Sequence, residues 1–183
     1  MKRLAGLAGL AFAAVLAAPA AADDAWREYR YTDAGFIVQF PAPPTLAPGS
    51  YRTQAGQIAP ARIYALRQDG LALTVTVADF SNIALGDLPA IDDARTALAQ
   101  TGEIRLDEQA HIDLYFGRAF SVAGRDGSRS AVSVFLVGRR FYELVAQALP
   151  PDPDAHTAQT TRFQETLAFI TPPATDAGPA PSP

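Results

Sequence analysis

Residues 62–80 constrain this chain more than any other stretch. Asp69-Gly70 separates Arg62–Gln68 from Leu71–Phe80. A two-residue connection of that composition joins antiparallel strands through a type I′ turn, because both central residues need positive φ, which Asp tolerates and Gly accepts freely. In the second strand Leu71, Leu73, Val75 and Val77 fall on one face, with Thr74 and Thr76 on the other. Side chains alternate along a strand, so this one covers a core with one side only.

The rest of the pattern is also antiparallel. Trp26–Tyr31 and Phe36–Phe40 read as a hairpin around Thr32-Asp33-Ala34-Gly35. Pro41, Pro43, Pro44 and Pro48 then predict an extended loop without regular pairing, with Tyr51-Arg52-Thr53 as a short edge strand. Ser81–Pro89 is a loop, and Ile91–Thr101 carries Ile91, Ala94 and Leu98 at helical spacing before Gly102. Glu103–Leu114 reads as strand pieces around a polar turn.

Gly117–Ala123, Ser130–Val137 and Arg140–Leu149 form a three-strand meander, and the middle strand, apolar on both faces, is predicted to be central. After Pro150–Pro153, Asp154 is the expected N-cap of a closing helix over 155–169, with Ala158, Phe163, Leu167 and Ile170 facing inward. No βαβ alternation repeats. The class is therefore α+β: a curved antiparallel sheet of about six to seven strands, packed between or against two main helices.

The ends of the chain have a different character. Met1-Lys2-Arg3 precedes an uncharged apolar run, Leu4–Ala18, then Pro19 and Ala20-Ala21-Ala22. That is the order of a secretory signal peptide: a basic end, an apolar stretch, a helix breaker and small residues that fit a peptidase pocket. Residues 1–22 are expected to be removed, leaving one globular domain over 23–170, periplasmic in a Gram-negative cell or secreted. Residues 171–183 are Thr, Pro, Ala, Asp, Gly and Ser, a composition expected to stay disordered because it buries no apolar area.

Composition narrows the chemistry. Without Lys2 and Arg3, thirteen arginines face nineteen acidic residues, so nucleic acid is not an expected partner. The chain has no cysteine. Thiol nucleophiles, Fe–S clusters and thiolate zinc sites are thereby excluded, and the fold must stand on its packed core.

The chemical inventory is thin. His111 in His111-Ile112-Asp113 would share a strand face with Asp113, a pair able to bind metal or act as a base. Asp152, Asp154 and His156 have spacing compatible with a metal, but also with an ordinary helix start. Asp92-Asp93 suits a helix's first turn, and Asp107-Glu108 is an exposed-looking pair. Neither a Gly-x-Ser-x-Gly elbow nor a phosphate-binding glycine loop occurs, and Ser128 and Ser130 flank a turn. No cofactor, no metal and no enzymatic activity are expected. Aromatic and arginine residues are enriched at binding hot spots, which singles out Trp26, Arg139 and Arg140 as an interaction surface.

Several short stretches resemble a known family. Gly35-Phe36-x-Val38-x-Phe40-Pro41, Gly117-Arg118-x-Phe120, Gly138-Arg139-Arg140-Phe141-Tyr142 and Arg162-Phe163 before Leu167-Ala168-Phe169 are similar to the markers of PsbP-like and Mog1-like domains. The resemblance spans most of residues 26–170. It implies an antiparallel sheet sandwiched between helices, and a binding or accessory role rather than catalysis; it carries over no catalytic residue. Three functional readings follow, in order: a non-catalytic accessory module that binds another cell-envelope protein; a carrier holding a small apolar ligand or lipid between sheet and helices; and an enzyme using His111 and Asp113.

Overall fold

The computed structural model describes residues 25–83 and 90–170. The expected signal peptide over 1–22, the tail over 171–183 and most of the loop before residue 90 lie outside them. Among the described residues, no helix is long and apolar enough to cross a membrane.

Two antiparallel sheets carry the fold. β1 (Arg27–Tyr31) and β2 (Phe36–Phe40) form the first hairpin, closed by a 3-10 turn at Thr32–Ala34 and by Gly35 in the left-handed region. β3 (Thr45–Arg52), β4 (Ile58–Gln68) and β5 (Leu71–Asp79) follow as a meander. Asp69 and Gly70 have φ of 46° and 77°, the left-handed pair that a type I′ turn demands. The chain then leaves through α1 (Ala90–Thr101) to the far edge of the same sheet. It returns strand by strand through β6 (Gly102–Ile112), β7 (Tyr115–Gly124), β8 (Arg129–Val137) and β9 (Arg140–Ala148) until β9 pairs with β5. The large sheet has seven strands in the order β3-β4-β5-β9-β8-β7-β6. β8 lies inside it, with Val132 and Val134 buried on one face and Phe135 on the other, as its doubly apolar sequence requires. α2 (Thr157–Glu165) and the short β10 (Ala168–Phe169) end the domain, and β10 joins β1 and β2 in a second, three-stranded sheet.

Four expectations give way to tertiary structure. The proline-bearing stretch is not an unpaired loop: Thr45–Arg52 pairs with β4 along its whole length, with Pro48 opposite Arg62. β3 is an edge strand, where proline's missing N–H leaves the ladder intact. Glu103–Leu114 is one continuous strand rather than fragments, and a bulge between Ile104 and Leu106 breaks its alternation. β5 does not cover a core with one side only; Ala78 and Phe80, at its far end, are buried in a second cluster on the opposite face.

The closing helix also stops early. Thr166 Oγ1 accepts the Gln39 N–H (3.1 Å) and donates to the Phe163 carbonyl (3.1 Å). From there Ala168 and Phe169 pair with Ile37 and Phe36. Asp154 is not the helix N-cap, a position that His156 takes; its carboxylate meets Arg129 at 2.9 Å, and its carbonyl accepts the Thr157 hydroxyl. Ala158 is exposed, and Thr160 is buried beside Phe163 instead.

Between the two sheets and α2 lies an aromatic layer. Phe36, Phe40 and Phe163 are wholly buried, and Tyr64, Tyr142 and Phe169 nearly so. Phe40 and Phe163 have ring centroids 5.1 Å apart, Phe36 and Tyr64 5.1 Å, and Tyr142 and Phe169 4.9 Å, distances typical of tilted and edge-on aromatic pairs. A carrier would need a cavity here. In this layer the rings of Phe36, Phe40, Phe163, Tyr142 and Phe169 pack against one another.

Candidate functional site

Three places on this scaffold gather chemistry. The first lies where β1 begins. There Trp26, the β4–β5 turn and the N-terminal part of α2 enclose a cleft of about 480 Å³. Arg162, projecting from α2, lies over the Trp26 ring at 5.1 Å and reaches the Gln39 side-chain oxygen at 3.2 Å. His156 enters from the other side. A Cβ on Gly70 would sit 2.9 Å from His156 Nε2, so the glycine that makes the I′ turn also lets the imidazole close over it. Gln68, Asp69 and Gln159 complete the polar lining, and the Gln159 side-chain oxygen is shut away from solvent with no hydrogen-bond partner.

The second place is the opposite end of the sheet. β5, nine residues long, runs from Leu71 at the first cleft to Asp79 here. A cleft of about 630 Å³ is lined by Asp79, Tyr115, Arg139, Arg140 and Tyr142. Its arginines have unlike roles. Arg139 folds back, donating through Nη2 to the carbonyls of Phe80 (2.7 Å), Ser81 (3.2 Å) and Ile83. Arg140 stays exposed, near the glycine at position 35.

Tyr142 donates its hydroxyl to the Ala34 carbonyl at 2.7 Å, and burial raises its pKa. Hydrogen bonds from the Ser81 hydroxyl and N–H, with the two arginines nearby, hold the Asp79 carboxyl below its usual range. The Gly138-Arg139 tip thus clamps the chain leaving β5.

The third place is the β6–β7 hairpin. His111 is exposed near the end of β6 opposite Phe116, while Asp113 stands in the turn with φ of 51°. The two do not share a strand face, because the strand ends at Ile112. Leu114 and Phe116 project beside them at 87% and 75% exposure. Among the described residues, no group of three or more histidine and carboxylate side chains is placed to hold a metal ion, and Asp152, Asp154 and His156 are no exception.

Of the residues singled out for interaction, Trp26 lies by the Leu71 end of β5 and Arg139-Arg140 by its Asp79 end. One member of each acidic pair has a structural role. Asp93 is buried and its Oδ2 accepts the Gln54 N–H at 2.8 Å, tying α1 to the β3–β4 connection. The side chain of Asp92 lies outside what the structure describes. Asp107 accepts from Arg118 and from Arg95 Nε (2.7 Å), and these hydrogen bonds hold its carboxyl below the usual range. Sequence reasoning missed Leu114, Phe116 and Gln159. A leucine immediately after the aspartate of a tight turn was the one available signal, since turns favour polar residues.

No family model matches the chain, and no curated protein does. Solved structures do. The solution structure of cyanobacterial PsbP (CyanoP) from Synechocystis sp. PCC 6803 superposes with a TM-score of 0.52 at 12% identity, over 79% of this chain and 92% of that one. PA94 from Pseudomonas aeruginosa, described as a protein of unknown function and putative regulator, matches at TM-score 0.44 and 12% identity, over 80% of this chain and 99% of its own. At such identity what is shared is architecture, and this chain has the antiparallel α+β fold of cyanobacterial PsbP.

Proposed function

We propose that the chain is a non-catalytic accessory module of the cell envelope, periplasmic or secreted, that binds another envelope protein through its β6–β7 hairpin. One observation carries the reading. Three of the five exposed large apolar side chains among the described residues, Leu106, Leu114 and Phe116, lie on that hairpin, at the outer edge of the large sheet. A tight turn displaying leucine, next to an almost fully exposed phenylalanine, costs solubility unless something covers it. An unpaired strand edge beside it offers backbone donors and acceptors to an extended segment of a partner. The partner is therefore a protein presenting an extended, apolar-bearing strand.

The supporting chemistry is consistent. The histidine–carboxylate pair that an enzyme would use is divided between a strand and a turn. Accessory function is also what the family resemblance in the sequence implies, although likeness of fold does not by itself assign a role.

The test is site-specific photo-crosslinking in cells, with the crosslinker at Leu114 and, as a control, at Arg67 on an exposed stretch of β4. One dominant envelope-protein adduct from position 114, lost with Phe116→Asp and absent from position 67, is the expected result. No adduct, or the same adducts from both positions, removes the reading.

A further inference from the structure

We propose that the cleft at the start of β1 binds a neutral, hydroxyl-rich ring: one saccharide unit. This stands apart from the partner reading, which uses a different edge of the molecule.

The cleft, about 480 Å³, has the volume of a small-ligand site. Its walls divide into two kinds. Trp26, Pro41 and Leu71 supply apolar surface. A pyranose ring presents C–H groups to surface of this kind, and an indole is the largest such surface a protein has. Gln68, Asp69, His156, Gln159 and Arg162 supply polar groups, and all five end in planar amide, carboxylate, imidazole or guanidinium heads. Planar heads with paired donors or acceptors can bond two neighbouring hydroxyls at once.

Charge selects a neutral ligand over an ion. The lining carries one arginine and one carboxylate, whose charges offset, and the Arg162 guanidinium is already engaged by the Trp26 ring and Gln39. Nothing in the lining builds up the single-sign field that a phosphate or an ammonium group requires.

The Gln159 side-chain oxygen is the independent observation. It is buried in the lining without a donor. Buried acceptors are rarely left so, and one at the wall of a cleft is met when the amide turns outward toward a ligand hydroxyl. His156, brought close over Gly70, stands ready to donate or accept beside it.

Trp26 is the chain's only tryptophan, so its emission reports on this cleft alone. The experiment titrates the purified protein with glucose, galactose, N-acetylglucosamine and their β-linked dimers and trimers, up to tens of millimolar. Inositol hexaphosphate and spermine serve as the anionic and cationic controls. The expected result is a saturable emission change with at least one saccharide and none with the charged controls. Gln159→Leu, which keeps the volume and removes an unmet polar group, should keep the melting temperature and weaken saccharide binding about tenfold or more, because a site built to bond hydroxyls loses them sharply.

An NMR titration following the Gln159 side-chain amide gives a second reading. Absence of any saccharide response in the folded protein overturns the proposal. So does a response that Gln159→Leu leaves unchanged, or binding of the charged controls instead.

Discussion

The two faces of the seven-stranded sheet are built on different plans. On one face the small sheet and α2 close over a largely aromatic cluster in which Phe36, Phe40 and Phe163, with Leu73 and Leu144 among them, are wholly buried. On the other face α1 lies mainly over β6, β7 and β8, above a cluster that mixes Phe80 and Phe141 with small residues such as Ala59, Ala61, Ala78 and Ala94. By alternation, Thr45, Ala47, Thr74 and Thr76 share that second face, and none of the four is buried. The first face is a closed interior. The second is half interior and half surface.

The difference teaches where stability resides. Area removed from water sets most of the stabilisation, and aromatic side chains remove the most per residue. The closed face should therefore be intolerant of truncation, and the half-open face tolerant. Phe163→Ala is expected to cost about 3–5 kcal/mol in denaturant unfolding, and Leu98→Ala, half-buried on α1, about 1 kcal/mol. Equal losses would break the comparison.

Tyr142→Phe probes the seam between the two sheets. It deletes the hydroxyl that reaches the Ala34 carbonyl, leaving a buried acceptor unmet at a cost of about 1–2 kcal/mol. The same assay reads it, and a neutral result would mean that packing alone joins the sheets.

Arg139→Ala tests the half-open face. Its effect should be local and about 1 kcal/mol, with faster hydrogen exchange at Phe80 and Ile83 and unchanged exchange in β1 and β2. Acceleration throughout the small sheet would show that the faces are coupled.

Two carboxyls on the α1 side sharpen the comparison by pH, with opposite signs. Asp107 has its pKa lowered from 3.8 by Arg118 and Arg95, so its contribution is present above that value and is lost as the solution is acidified through the folded pKa. Asp107→Asn should destabilise the fold at neutral pH, by about 1 kcal/mol or less, and have no effect in strong acid. Glu143, on β9, has its pKa raised above 4.5 by burial. Its stabilising share exists below 4.5 and disappears as pH rises through the folded value, leaving a buried charge at neutrality. Glu143→Gln should raise the melting temperature at neutral pH and leave it unchanged near pH 4. The reverse pattern would mean that the carboxylate has a partner.

Legibility in the sequence followed the same division. The β1–β2 hairpin, Asp69-Gly70 and the β7–β8–β9 meander were readable because their strands alternate against the closed face or are buried on both. β3 and β6 were not, and both are edges. Pro48 is harmless only where one side of the strand needs no partner, a fact about neighbours rather than about residues. In β6, the run Glu103-Ile104-Arg105-Leu106-Asp107-Glu108 is charged, and its bulge shifts the period midway.

The end of α2 was hidden for a third reason. No breaker stands between Glu165 and Leu167; β2 captures the chain there through Thr166 and Phe169. The candidate sites were less legible still, since the Trp26 cleft draws on residues 26, 41, 68–71 and 156–162. The structural roles of Arg139 and Asp93 depend on carbonyls and N–H groups far along the chain.

The pairing of β10 with β2 has a consequence in time. Ile37 and Ala168 are partners although more than a hundred residues separate them. A chain emerging from N- to C-terminus holds its first hairpin for almost the whole of synthesis before the strand that completes that sheet exists. Until then Phe163 and Phe169 are missing from the aromatic layer, and Phe40, Tyr115, Phe135 and Tyr142 lack ring neighbours they pack against. Long-range closure of this kind delays folding and leaves sticky surface exposed meanwhile. The nascent chain stays pliable until Ala168 and Phe169 arrive, and that short strand is the latch of the small sheet.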